Sequence, residues 1–129
     1  MHKAVAFTGL LACSSLICWG AKAETALEVQ SWCKPFVTAK LGANKRIWAE
    51  ENEDAGFCWG AFAAIQELSR FRKSSGATMI DVCAPSDSSR LQFIKIFSKY
   101  VDDHPANAHE TFALIAYLSL SEAFPCDRS

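Results

Sequence analysis

Hydrophobic positions along this chain recur at helical spacing, and no stretch alternates long enough to make a convincing strand. From Val29, the residues Trp32, Cys33, Phe36 and Val37 form the i, i+3, i+4, i+7 stripe of a first helix, with Pro35 inside it. An interior proline removes a hydrogen bond and crowds the preceding turn, so this helix is expected to kink or break near Cys33. Residues 41–54 read as a polar connection whose only aromatic anchor is Trp48. Phe57, Cys58, Ala61, Phe62, Ile65 and Leu68 set a second helix that ends before Ser74-Ser75-Gly76. Gly56 and Gly60 share one face of it, where they are expected to let a neighbouring backbone come close. In the loop 73–87, Met79, Ile80 and Val82 are expected to tuck under the helices.

A third helix should start after an N-cap among Ser86, Asp87 and Ser88. Leu91, Ile94, Phe97, Tyr100 and Val101 form its buried stripe, with Phe93 beside it. It should stop at Asp102-Asp103-His104, because a residue preceding proline is disfavoured in the α region. Pro105 then suits the first turn of a fourth helix, where a missing N–H costs nothing. His104 is placed to cap that helix, and His109 falls in its first turn. Phe112, Leu114, Ile115, Tyr117, Leu118, Leu120, Ala123 and Phe124 cover more than one face of it. Such a helix is central or sits at an interface; the reading adopted is a central helix that also contributes to a dimer. The fold class expected is therefore all-α, a compact bundle of about four helices.

Residues 1–23 change the setting. His2 and Lys3, an apolar run from Ala4 to Leu11 and the closing Ala21-Lys22-Ala23 match a secretory leader cleaved before Glu24. The run is too short and too interrupted to span a bilayer. A minor alternative takes Leu10-Leu11-Ala12-Cys13 as a lipoprotein signal with Cys13 lipidated. Residues 24–129 then form one helical domain. Removing the leader takes Lys3 and Lys22 from the thirteen basic residues and none of the fourteen acidic ones, so the formal charge falls from −1 to −3. That balance disfavours nucleic acid and anionic membrane surfaces as partners.

Of six cysteines, Cys33, Cys58, Cys83 and Cys126 remain. An even number in a short exported chain implies two disulfides, with three pairings open. The pairing adopted is Cys33–Cys58 with Cys83–Cys126, because each then ties together the ends of one helical hairpin. A zinc site is disfavoured, since no C-x-x-C or H-x-x-x-H spacing occurs. No G-x-S-x-G, P-loop or H-E-x-x-H is present, and bridged cysteines offer no thiol nucleophile. The histidines and carboxylates around residues 102–110 read more simply as helix ends and caps than as an acid–base pair. The chain is therefore expected to be a binding protein, not an enzyme, with no cofactor and no metal.

Cys58-Trp59-Gly60, Cys83-x-Pro85, Lys99-Tyr100-Val101-Asp102-Asp103-His104-Pro105 with His109, and Glu122-Ala123-Phe124-Pro125-Cys126 together resemble the Rap/Tai family. These are periplasmic immunity proteins of type VI secretion systems. The resemblance runs from about Trp32 to Cys126. Its departures are Pro35, just after the first cysteine, and Ala61-Phe62, where a tyrosine followed by an apolar residue is usual. It implies a small all-helical protein, often a homodimer, that binds a peptidoglycan-cleaving amidase and blocks it sterically in the periplasm. The corner carrying Asp102, Asp103, His104, Asn107 and His109 is the candidate contact surface, against the plainer reading of a solvated turn. The alternative function is a small periplasmic helical chaperone or stress protein with no amidase partner.

Overall fold

The computed structural model describes residues 22–39, 49 and 52–127. The leader up to residue 21, the lipidation alternative at Cys13 and most of the polar connection, Trp48 included, lie outside the described residues. Those described form four α-helices: α1 (Ala26–Val37), α2 (Glu53–Arg70), α3 (Arg90–Asp103) and α4 (Phe112–Ala123). A single 3-10 turn, Pro105–Asn107, stands between α3 and α4. The only β-type pairings among the described residues are two isolated bridges, Thr25 with Thr111 and Arg72 with Thr78. None of the helices is long and apolar enough to cross a membrane.

Three of the four helices begin where a side chain satisfies one of the first amides, while Thr111 at the start of α4 makes no such bond. At α1, Thr25 and Glu28 form a reciprocal capping box. The Asn52 side chain accepts from the Ala55 N–H at α2, and Ser89, one residue beyond the expected caps, accepts from Gln92 N–H at α3. Pro35 does not break α1, which runs without interruption to Val37. The proline falls in the last turn, where one lost backbone bond matters least, and the Thr38 N–H and hydroxyl both turn back to the Lys34 carbonyl.

α1 and α3 occupy the centre, and each packs against every other helix. α2 and α4 flank them. The core gathers Val29, Phe62, Val82, Phe93, Ile94, Phe97, Ile115 and Leu120, all essentially without solvent exposure. Phe112, half-buried, meets Phe62, Phe97 and Phe57 edge-on, with centroids 5.6, 5.4 and 6.4 Å away, and so stitches the start of α4 to α2 and α3. α4 is thus a flank and not the centre: Ile115, Ala116, Ser119 and Leu120 face inward, while Leu114 and Tyr117 face solvent.

Three further expectations are corrected. Among the described residues no backbone comes close to Gly56 or Gly60, since a Cβ at either would meet nothing within 4 Å. Met79 is half exposed, whereas Val82 is buried and Ile80 packs on the core. The buried face of α2 includes Gln66 and Ser69 while Leu68 is exposed, because the Gln66 amide donates to the Ser88 carbonyl at 2.8 Å and fixes the helix's rotation.

Both bridges form as expected, Cys33–Cys58 and Cys83–Cys126. The first joins α1 to α2 inside the core, with both residues fully buried, and not at the outer ends of the hairpin. The second does close the ends of the α3–α4 hairpin, and beside it the Cys83 N–H donates to the Phe124 carbonyl at 2.9 Å. Two disulfides in so small a chain fit an exported protein.

Candidate functional site

The corner between α3 and α4 starts from one histidine. His104, outside the α region at φ −126° and ψ 62° before Pro105, ends α3 by donating its N–H to the Tyr100 carbonyl at 3.0 Å. Its ring Nδ1 lies 2.9 Å from the same carbonyl oxygen. A carbonyl only accepts, so Nδ1 carries the hydrogen. The imidazole also stacks on the Tyr100 ring, with centroids 4.0 Å apart. His104 therefore caps α3, not α4. Pro105 starts a 3-10 turn instead of the fourth helix, and a chain of tight turns follows: Asn107 N–H to His104 O, Ala108 N–H to Pro105 O, Glu110 N–H to Asn107 O. His109 accordingly lies in the turn ahead of α4 and outside its first helical turn.

What fixes this corner is the start of α1. A helix N-terminus leaves four backbone amides without intrahelical partners. Here Thr25 N–H donates to the Glu28 carboxylate at 2.9 Å and Glu28 N–H to the Thr25 hydroxyl at 3.3 Å. The other two reach across to the corner, Ala26 N–H to Glu110 O and Leu27 N–H to Ala108 O, both at 2.9 Å. Phe112 N–H returns the favour to Glu24 O at 2.8 Å. All four orphan donors are satisfied, two of them by corner carbonyls, which also lie at the positive end of the α1 dipole. The corner is a braced ridge and not a loose turn.

The five candidate residues are brought onto this ridge, in different states. Asp102 is exposed, and its carboxylate accepts from the Gln30 side chain at 2.7 Å; the same Gln30 amide donates to Ser98 O at 2.9 Å. Asp103, also exposed, pairs with Lys99 one turn back at 2.7 Å. That hydrogen bond, then the Asp103 charge, raises the Lys99 pKa above its ordinary value, against a small opposing effect of burial and with help from Asp102. His104 and Asn107 are half-buried, and His109 is exposed beside Glu110. Two carboxylates in the last turn of α3 sit at the negative end of its dipole, the less favourable end by ~0.3–1 kcal/mol each. Gln30 and Lys99 offset part of that cost. Sequence reading missed these two supports and the α1 brace, although Thr25-x-x-Glu28 is a readable capping-box signal.

The ridge offers acidic and imidazole groups on a fixed backbone, which suits recognition of another surface. Among the described residues no cluster of three His, Cys, Asp or Glu could hold a metal ion. A family model described as Rap1a immunity proteins matches residues 25–126. No curated protein and no solved structure matches the chain.

Proposed function

Because the chain belongs to the Rap1a immunity protein family, we propose that it protects by binding a secreted effector and covering its active groove. The effector is a peptidoglycan amidase delivered by a type VI secretion system, met in the periplasm after the leader is removed before Glu24. The protein acts sterically and not as an enzyme. The ridge from Asp102 to His109 enters the amidase groove, with Asp102, Asp103, His104, Asn107 and His109 as the contact set. The protein works as a homodimer in this reading, with Leu114, 44% exposed at the start of α4, part of the covered surface.

The family match across residues 25–126 carries the reading, and it favours immunity over a stress chaperone. Support for the ridge comes from its bracing, since a preformed element loses little entropy on docking. The unfavourable placement of Asp102 and Asp103 on the α3 dipole points the same way, because two exposed carboxylates there come at some cost to the fold.

Two exposed positions allow a test that leaves the fold standing. Asp103→Arg trades one weak surface ion pair for a cation at the favourable end of the dipole, so stability should change by less than about 1 kcal/mol. His109→Ala removes a side chain with no hydrogen-bond partner among the described residues. Calorimetric titration against the amidase should show at least about tenfold weaker binding for Asp103→Arg, together with lost protection from lysis. Full-strength binding by both variants would remove the ridge from the interface. No binding by the parent chain would remove the amidase.

A further inference from the structure

Next to the ridge, on the side of the Cys83–Cys126 bridge, lies an open groove of about 440 Å³. It is lined by Tyr100 from α3, by Tyr117, Ser121 and Glu122 from α4, by Asp81 from the linker ahead of α3, and by Pro125 and Cys126. The groove's charged lining consists of two carboxylates, Asp81 and Glu122, both exposed, and no lysine or arginine. Its aromatic lining is two tyrosine rings, and Tyr117 is 38% exposed. Neither carboxylate has a hydrogen bond or ion pair among the described residues.

A phenol ring attracts a cation over its face, and a carboxylate binds one by charge-assisted hydrogen bonds. Both kinds of group line one groove, which is large enough to admit an arginine or lysine side chain. The protein already makes such a contact internally, where the Arg90 guanidinium lies 4.5 Å from the Trp59 ring centroid. The groove is also preformed: His104 stacks on Tyr100, while the disulfide and the Cys83 N–H to Phe124 O bond hold the segment that carries Cys126. Because the Tyr100 ring stacks on His104, the groove adjoins the ridge.

The geometry points to a receptor slot for one arginine or lysine side chain projecting from the effector, seated between Tyr100 and Tyr117 and paired with Glu122 and Asp81. This rests on the immunity reading and adds what the effector must carry beside its active groove: an exposed cation within reach of the ridge. The formal charge of −3 on residues 24–129 would speed that encounter.

The slot can be tested without the effector. Titrating N-acetyl-arginine methylamide into the protein should shift the ring NMR signals of Tyr100 and Tyr117, and the uncharged citrulline analogue should not. The shifts should vanish in the Asp81→Asn, Glu122→Gln double variant, whose altered groups are exposed and whose fold should be unchanged by circular dichroism. Equal shifts from arginine and citrulline compounds, or none from either, would overturn the slot. Against the amidase itself, the double variant should bind about tenfold more weakly and with a flatter salt dependence. Unchanged amidase binding by the double variant would sink the slot and leave the immunity reading standing. An arginine-specific shift in a protein that binds no amidase would sink that effector and keep the slot. Loss of self-association in the double variant, seen by sedimentation, would assign the groove to a second copy of the chain and overturn the proposal.

Discussion

Replacing Cys33 and Cys58 together by alanine should cost more stability than replacing Cys83 and Cys126, although the second bridge closes the longer loop. Loop closure alone ranks them the other way. With sequence separations of 25 and 43 residues, the chain-entropy model gives ~3.5 kcal/mol for the first bridge and ~4 kcal/mol for the second. Burial reverses that half-kilocalorie difference. Cys33 and Cys58 are fully buried between α1 and α2, so their truncation leaves a void worth about 1 kcal/mol per sulfur on top of the lost constraint. Cys83 and Cys126 are only half-buried, and their truncation lets water in.

The expected losses are therefore ~5 kcal/mol or more against ~4 kcal/mol, from a total of about 5–15 kcal/mol for a domain of this size. Urea unfolding of the two double variants, prepared through an oxidising compartment, measures both values by linear extrapolation. Mild reduction followed by alkylation and mass mapping gives an independent ranking, because the accessible Cys83–Cys126 bridge should open first. A smaller loss for Cys33→Ala, Cys58→Ala than for the other pair would refute the burial argument. A loss below about 1 kcal/mol for both would refute the idea that covalent staples hold this fold.

Phe62→Ala should cost about 3–5 kcal/mol, since the ring is fully buried against Phe97 and Phe112; chemical denaturation reads it, and a cost under about 1 kcal/mol would show that the core collapses around the gap. Gly60→Ala should raise stability by about 1 kcal/mol, because the site is inside α2 and an added Cβ meets nothing; a lower melting temperature would mean that the face is occupied. Glu28 is held below the ordinary value of 4.5, first by the Thr25 N–H, then by the Thr25 hydroxyl, with burial opposing and the Lys22 charge helping slightly. A depressed folded-state pKa contributes stability that is present above the unfolded value and lost as pH falls through the folded one. Glu28→Gln should therefore melt lower than the parent at about pH 7 and converge with it as pH falls below the ordinary carboxylate range; a gap independent of pH would exclude the carboxylate as its cause.

The helices were legible because their stripes are long, and the disulfide pairing because hairpin topology leaves little choice. Where reading failed, tertiary contacts overrode local chemistry. Pro35 looked disruptive as an interior residue, yet α1 ends two residues later, so one missing N–H has almost no helix left to disturb. Pro105 looked like a helix start, but Ala108 and Glu110 are drawn into turns because their carbonyls serve α1, some eighty residues earlier. No local pattern carries that information. The burial of Gln66 in place of Leu68 has the same origin, a hydrogen bond to the carbonyl of Ser88 in the distant linker. Of the candidate site, the residues could be named from sequence but not their states: nothing around Asp102 announces Gln30, which lies on another helix.

Within the most recognisable stretch of the chain, Tyr100 to Pro105, the structure makes fixings of Tyr100, His104 and Pro105 and leaves Asp102 and Asp103 exposed. The Tyr100 carbonyl receives both the backbone and the ring hydrogen of His104, and Pro105 sets the turn that follows. Downstream the ridge is held through main-chain atoms: the carbonyls of Ala108 and Glu110 accept from α1, and Phe112 N–H donates to Glu24. Bonds of that kind do not depend on side-chain identity. Ala106, His109 and Glu110, all exposed, can therefore change without loosening the backbone that presents them, whereas Tyr100, His104 and buried Ala108 cannot. A scaffold built this way separates holding from recognising. If the ridge is the contact surface proposed above, the chain can keep this braced corner and meet a different protein surface by altering its exposed side chains, so a motif that identifies the fold need say little about the target.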